Sequence, residues 1–475
     1  MVNRGRLSPA CFPCRSRKLR CDLQKDTCGQ CQRAKIACHG YRDPAALQFR
    51  DESLSIEQRA LSSGDDDFFV RMTSRPGTLE LNWDARARYA FFSTYINGFT
   101  RSMGEVAYYC RTARSSDHLS ASVEAASLAF MATQLSSTYL MRLANASYVT
   151  AIRRLNHFLT ELESQGAEEA LQSVLLLDIY EKMVHRDAWA SQAWMSHSQG
   201  GLSLLNTRAS SILSSPAGCH LAARLVTAVT VSCVTKGVNT PKELATLRRN
   251  IGYRVSSPKW SFLGVLSRVY NLHFDFERGK VSKRDFVVRA KCLDDHLETL
   301  DKTVPSAWRP QTIQISENDV NVLGSCYDVY PDHYTTQVVN ALRTMRLILY
   351  SISKHHVSDV NYIQKTISPE TVCTLTRQVC ASVPQFILPG VRTSNSIPFS
   401  PLQQLQCRTF LTPLYFVHQI SEEASVREWV RRCMRFMWEY GNMRTAKDIA
   451  DVMETRPNLN YWTVFAMTGS YAFSA

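Results

Sequence analysis

The first six cysteines of this 475-residue chain lie close together, from Cys11 to Cys38, and repeat with one spacing. Cys11, Cys14 and Cys21 run C-x2-C-x6-C, and Cys28, Cys31 and Cys38 run the same way seventeen residues later. A thiolate is a soft, anionic ligand that Zn(II) gathers tetrahedrally, and a two-residue gap lets one loop grip the same ion twice. Six thiolates cannot furnish two separate four-cysteine sites. Two zinc ions each reach four-coordination only if two of the six sulfurs bridge them. The repeat predicts a compact two-metal cluster with pseudo-twofold symmetry. A segment this short buries too little apolar surface to fold unaided, so the metal supplies the folding energy.

Three rival readings of the cysteines are weaker. A disulfide framework needs an oxidising compartment, and the stretch MVNRGRLSPACFP has no apolar signal-peptide core. A redox C-x-x-C normally lies between a strand and a helix, not in a basic tandem repeat. A zinc store has no need of arginines and lysines packed between its ligands.

The segment CFPCRSRKLRCDLQKDTCGQCQRAKIAC resembles the DNA-binding domain of the fungal binuclear zinc cluster transcription factors. All five cysteine intervals match that family, as does the basic run Arg15, Arg17, Lys18, Arg20. The motif covers about a tenth of the chain. One departure concerns the loop between the halves: the family often carries proline two residues before the fourth cysteine, where this chain has Asp26. The resemblance implies that the lysine at the Lys18 position reads a C/G-rich triplet of CGG type in the major groove, with Arg17 next to it. Arg15 and Arg20 are expected to contact phosphates, which fix register without reading sequence. The bland alternative is a solvated charged face or a nuclear-import signal.

Charge supports the DNA reading. Between Cys14 and Cys21 lie four basic residues and no acid, whereas Cys31 and Cys38 enclose only Arg33 and Lys35. The first half is therefore the better candidate to face a duplex. Residues 1–42 carry a formal +8 of the chain's +13, a local footprint suited to a polyanion.

After Cys38 the composition turns polar, with turn signals at Asp43-Pro44 and Ser63-Gly64. Leu47, Leu54 and Leu61 are seven apart, but their companion seam positions are Arg50, Glu57 and Gly64. Half a seam is a poor zipper. Phe68 and Phe69, after three aspartates, are expected to begin packing against the following domain.

No proline occurs between Gly77 and Ser215 although the chain has 17, which favours helices there. Ala87, Phe91, Tyr95 and Phe99 fall every four residues. Tyr148, Ala151, Leu155, Phe158 and Leu162 follow the three-and-four alternation of one helical face. Val426, Trp429, Val430, Cys433, Phe436, Met437 and Tyr440 do so again, with Arg427, Arg431, Arg432 and Arg435 on other faces. Proline-rich breaks are expected at 305–310 and 384–412. The run Trp194-x-x-His197-x-x-Gly200-Gly201-x-x-Leu204-Leu205 resembles a recurring segment in the middle homology region of the same regulators, with Gly201 where alanine is usual. His197 reads as a hydrogen-bonded packing residue.

The body carries no Gly-rich phosphate loop, H-E-x-x-H helix or G-x-S-x-G elbow, so no enzyme is expected. His355-His356 is an isolated pair. No run of about 18 consecutive apolar residues suggests a membrane partner.

The expected architecture is a small N-terminal binuclear zinc cluster domain plus a large all-α C-terminal domain. Residues 1–42 form the zinc cluster, 43–80 a linker and 81–475 an all-helical regulatory domain. The six cysteines hold two zinc ions per chain. The resemblance implies a nuclear regulator of RNA polymerase II genes, with double-stranded DNA, transcription machinery or coregulators, and a second copy of the chain as partners. By family habit its targets would be a secondary-metabolite gene cluster. The alternative is a ligand-sensing or interaction protein whose cluster only anchors it to nucleic acid.

Overall fold

A computed structural model describes residues 9–41, 82–101, 103–111, 117–160, 166–184, 193–255, 257–316, 319–356 and 367–469. The chain divides into two units, Met1–Glu80 and Leu81–Ala475. Leu47, Leu54, Leu61, Phe68, Phe69 and Leu162 lie outside the described residues, as do the side chains of Trp194, His355 and His356.

In the first unit, two five-residue helices, α1 (Phe12–Ser16) and α2 (Gly29–Arg33), sit at equivalent places in the cysteine repeat. Both begin just after the first cysteine of their half. The spacing predicts a start near the second cysteine; in the second half the sulfur explains the difference, whereas Cys11 at the N-cap of α1 makes no side-chain cap bond. Cys28 is itself the N-cap of α2, its Sγ accepting the Cys31 N–H at 3.3 Å. Ser, Thr, Asp or Asn usually fills that role.

The second unit opens with α3 (Trp83–Ala90), which runs into a π-helix over Phe91–Phe99. The four-residue spacing of Ala87, Phe91, Tyr95 and Phe99 suits that transition. Successive steps of four drift one way round an α-helix and the other way round the wider π-helix, so the stripe stays aligned. All four side chains are buried, and Phe91 and Tyr95 stack at 5.3 Å.

Then follow α4 (Gly104–Arg111), α5 (Asp117–Leu135), α6 (Thr138–Thr160), α7 (Ala167–Val184), α8 (Ala193–Thr207) and α9 (Ala209–Ile212). Next come α10 (Pro216–Lys236), α11 (Lys242–Ile251), α12 (Pro258–Glu277) and α13 (Lys283–Lys302). A short hairpin of β1 (Gln311–Gln314) and β2 (Cys326–Val329), paired antiparallel, interrupts the helices. The remainder is α14 (His333–His356), α15 (Pro369–Ala381), α16 (Pro384–Ile387), α17 (Pro401–Ile420), α18 (Ala424–Glu439), α19 (Arg444–Thr455) and α20 (Tyr461–Met467). Among the described residues the result is a small cysteine-rich unit and a large all-α unit with one minor hairpin.

Four of these helices start with the same dipeptide. Ser215-Pro216, Ser257-Pro258, Ser368-Pro369 and Ser400-Pro401 each place serine at the N-cap and proline at the first helical position. The hydroxyl accepts an otherwise unmet backbone N–H, and proline has no N–H to lose there. The expected break at 384–412 is therefore shorter: Pro401 starts α17, and Pro413 lies inside it.

Helices α7 and α10 are long helices buried along most of their length. Helix α10 is long and apolar enough to cross a membrane by composition, yet most of it is buried inside the protein. It is the centre of the core. Helix α8 crosses it closely at Gly201, where an added Cβ would stand 2.6 Å from Leu225 Cδ1. Beside that crossing the Tyr148 hydroxyl bonds His197 Nε2 at 2.8 Å, and burial lowers the His197 pKa.

Candidate metal centre and nucleic-acid interface

The sulfurs of the first unit meet in two sets of four. Cys11, Cys14, Cys21 and Cys28 form one set and Cys11, Cys28, Cys31 and Cys38 the other, with the sulfurs of each set within 4.8 Å of one another. Cys11 and Cys28 belong to both. Cys11 Sγ lies 3.6 Å from the sulfurs of Cys28 and Cys31, and Cys14 Sγ lies 3.5 Å from that of Cys28. A tetrahedron of sulfurs bonded to one zinc ion at about 2.3 Å has edges of about 3.8 Å. The spacing therefore matches ligation by a shared ion and is far too long for a disulfide, about 2.05 Å. Among the described residues, these are the groupings of His, Cys, Asp and Glu suited to a metal ion.

Local backbone explains why the two halves superpose. After α1, Leu19 N–H bonds Cys14 C=O at 2.8 Å and Lys18 N–H bonds Arg15 C=O at 3.1 Å. After α2, Ile36 N–H bonds Cys31 C=O at 3.1 Å and Lys35 N–H bonds Gln32 C=O at 3.1 Å. Both are Schellman closures, which need a left-handed residue just past the helix. Glycine usually fills that position; here lysines do, with φ of +54° at Lys18 and +52° at Lys35.

The thiols respond to burial and to the backbone. Desolvation raises the pKa of Cys11 and Cys14, and raises Cys31 to about 12. At Cys21 desolvation also pushes upward, but hydrogen bonds from the backbone of Cys11 and Leu23 and from neighbouring thiols outweigh it and bring the value to about 7. Cys38 is lowered first by the backbone of Cys28, the symmetry mate of Cys11. Thiolates this close repel, and a bound cation removes that repulsion.

Three residues outside the cysteine pattern tie the halves together. The Asp22 carboxylate accepts the Gly29 N–H through both oxygens at 3.0 Å, and an added Cβ on Gly29 would stand 2.6 Å from Asp22 Oδ2. The Tyr41 hydroxyl donates to the Gln24 carbonyl, and its ring packs against the cysteines. Sequence reasoning missed all three. An aspartate directly after a ligand cysteine, with a glycine directly after the next, was the available signal.

The inter-half loop does depart from the proline-bearing pattern. Asp26 adopts φ +72°. A proline ring, which locks φ at about −65°, cannot reach that conformation. Short polar side chains tolerate it better than most.

Of the basic run, Arg17, Lys18 and Arg20 are exposed. Arg15 is half-buried, with its guanidinium donating to the Ala10 carbonyl and lying 6.0 Å from the Phe12 ring centre. Three unshielded cations thus project from the end of α1. The nearest acid in sequence, Asp22, is committed to Gly29.

Residues 9–47 match the Fungal Zn(2)-Cys(6) binuclear cluster domain family. The N-terminal segment is a domain of that kind, which binds two zinc ions. Over 59 residues the chain is 40% identical to the White-opaque regulator 2 of Candida albicans, a match spanning 12% of this chain and 13% of that protein. No solved structure matches the chain.

Proposed function

We propose that this protein is a zinc-dependent, sequence-specific DNA-binding regulator of transcription by RNA polymerase II. In this reading residues 1–42 bind DNA, 43–80 link, and 81–475 regulate or recruit. One observation carries it: a two-set cluster of six thiols lies directly beneath a helix end that presents Arg17, Lys18 and Arg20 to solvent.

Cys14 and Cys21 would hold one zinc ion and Cys31 and Cys38 the other, with Cys11 and Cys28 common to both sets. Ligation there would tie α1 to its closing turn, so that the Lys18 side chain leaves a rigid backbone. A lysine ammonium there can donate to guanine O6 and N7, the acceptors that distinguish a CGG-type site in the major groove. Arg17 and Arg20 add phosphate or base contacts. Arg15, already bound to Ala10, braces the first loop and meets phosphate at its edge. The nucleus is the matching compartment, and coregulators or the transcription machinery are the partners of the helical unit. A secondary-metabolite gene cluster as target rests on the resemblance alone.

Gel shifts test the reading. Lys18→Ala should flatten the preference for CGG over scrambled duplex more than Arg15→Ala does, and zinc chelation should abolish it. Equal binding of both duplexes by the wild-type chain would sink the proposal.

A further inference from the structure

A cleft of about 420 Å³ in the helical unit concentrates positive charge that the DNA reading does not use. This lies within the range of small-molecule sites. Its lining includes Arg224 from the middle of α10, Lys259 from the first turn of α12, and Arg254 from the loop before α12. The carboxylate in the lining is Glu105, whose Oε1 is engaged by His220 Nδ1 at 3.0 Å. Arg101, also at the rim, pairs with Asp332.

Two of the cations are nearly enclosed, Arg224 at 6% exposure and Lys259 at 9%. Arg224 Nη1 meets a neutral acceptor, Gln172 Oε1, at 3.2 Å. Burying like charges side by side is costly unless something compensates them. Desolvation, then the Arg224 charge, lowers the Lys259 pKa to about 8, and desolvation lowers Arg224 to about 10. The cleft also receives the N-terminus of α12, whose dipole adds positive potential. Trp260, Leu263 and Tyr334 supply apolar surface beside these charges, with the Lys259 ammonium 5.4 Å from the Tyr334 ring centre, and the π-helix ends at Phe99, two residues before Arg101.

We propose that this cleft binds a small organic dianion, either a dicarboxylate or a phosphate monoester with an apolar body. Arg224, Lys259 and Arg254 take the charges, while Trp260 and Tyr334 face the body of the ligand. The lining brings Arg101, Arg224, Arg254 and Lys259 together with one carboxylate, Glu105, so it complements an anion carrying more than one charge. The inference does not rest on the DNA reading, because every residue it uses belongs to the helical unit.

The test is calorimetric titration of the zinc-loaded full chain with phenyl phosphate, phthalate and neutral phenol. One or both anions should bind at one per chain and phenol should not; the anion that binds identifies the class. Arg224→Met and Lys259→Met should each weaken binding at least about ten-fold, a loss expected for one charge-assisted contact. Lys259→Met, which sheds a buried charge, should not melt below wild type without ligand. Ala223→Trp fills the cleft while leaving every charge in place, and should also abolish binding. The exposed Arg444→Gln should leave it unchanged. Binding of neither anion overturns the proposal. So does equal binding by wild type and the cleft variants, which would mark general attraction to a chain of net charge +13. CGG-duplex binding, measured on the same samples, reports separately on the DNA reading.

Discussion

Lys18 and Lys35 occupy the same place in the two halves, with nearly the same left-handed backbone, so replacing each by glycine is a matched pair of perturbations. A left-handed conformation costs an L-residue roughly 1–2 kcal/mol. Glycine removes that cost but brings about 0.5–1 kcal/mol of extra unfolded-state entropy. The balance is a gain between about zero and 1.5 kcal/mol, at most a roughly ten-fold tighter hold on zinc. Both variants should show it to the same degree in competition against a chelator. Their effects on DNA should differ. A lysine reading a guanine edge contributes about 1–3 kcal/mol of discrimination, so Lys18→Gly should lose roughly 5- to 150-fold of CGG preference by fluorescence anisotropy at fixed salt. Lys35→Gly should keep that preference. Equal loss of preference in both variants would refute the assignment of DNA reading to the first half. Weaker zinc binding in both would refute the backbone argument.

Three further outcomes follow from local geometry. Asp26→Gly should retain zinc affinity, whereas Asp26→Pro should weaken it, because the left-handed backbone at Asp26 is closed to proline; chelator competition measures both. Gly201→Ala should lower the melting temperature, at an overpacking cost of about 1–3 kcal/mol, since its Cβ falls 2.6 Å from Leu225 Cδ1. Leu225→Val in the same chain should recover part of the loss. Lys259→Met should raise thermal stability at pH 7, and the advantage should fade as pH climbs from about 8 to 10.5. The sign follows from linkage: over that range the folded protein has already released the Lys259 proton while the unfolded chain still holds it, so wild-type stability rises with pH. The gap between the two values corresponds to roughly 3 kcal/mol at most. A constant difference across that pH range would contradict it.

The metal centre was legible because ligation is a local demand: a gap of two residues and a repeat of seventeen survive any tertiary context. The start of α2 was not, because a cysteine sulfur serves as the N-cap at Cys28, a role that propensity rules give to other side chains. Prolines misled in a similar way. Read as breaks, they also mark beginnings wherever serine precedes them, as at Pro216, Pro258, Pro369 and Pro401. Spacing alone found the buried stripe from Ala87 to Phe99 but could not distinguish α-helix from π-helix, since both keep a four-residue step near one face over a short run. The face of α18 was read as far as Met437, and Met434 joins it as a buried neighbour, but Tyr440 lies past the end of the helix and is exposed. The cationic cleft was invisible in the sequence. Arg101 and Arg224 come from segments distant from Arg254 and Lys259, and only the packing of α10 beside the start of α12 gathers them. The Asp22–Gly29 contact is closer in sequence, and its only signal was an aspartate directly after one ligand cysteine with a glycine directly after the next.

The central claim is that six thiolates assemble two zinc ions into one cluster and that this cluster makes the chain a reader of DNA. Titrating Zn(II) into the metal-free full chain, while following anisotropy of a labelled CGG duplex, tests both parts at once. Binding should appear only with zinc, saturate at two ions per chain, and remain weak on a scrambled duplex. Full binding at one ion, binding without zinc, or equal binding to the scrambled duplex would contradict the account.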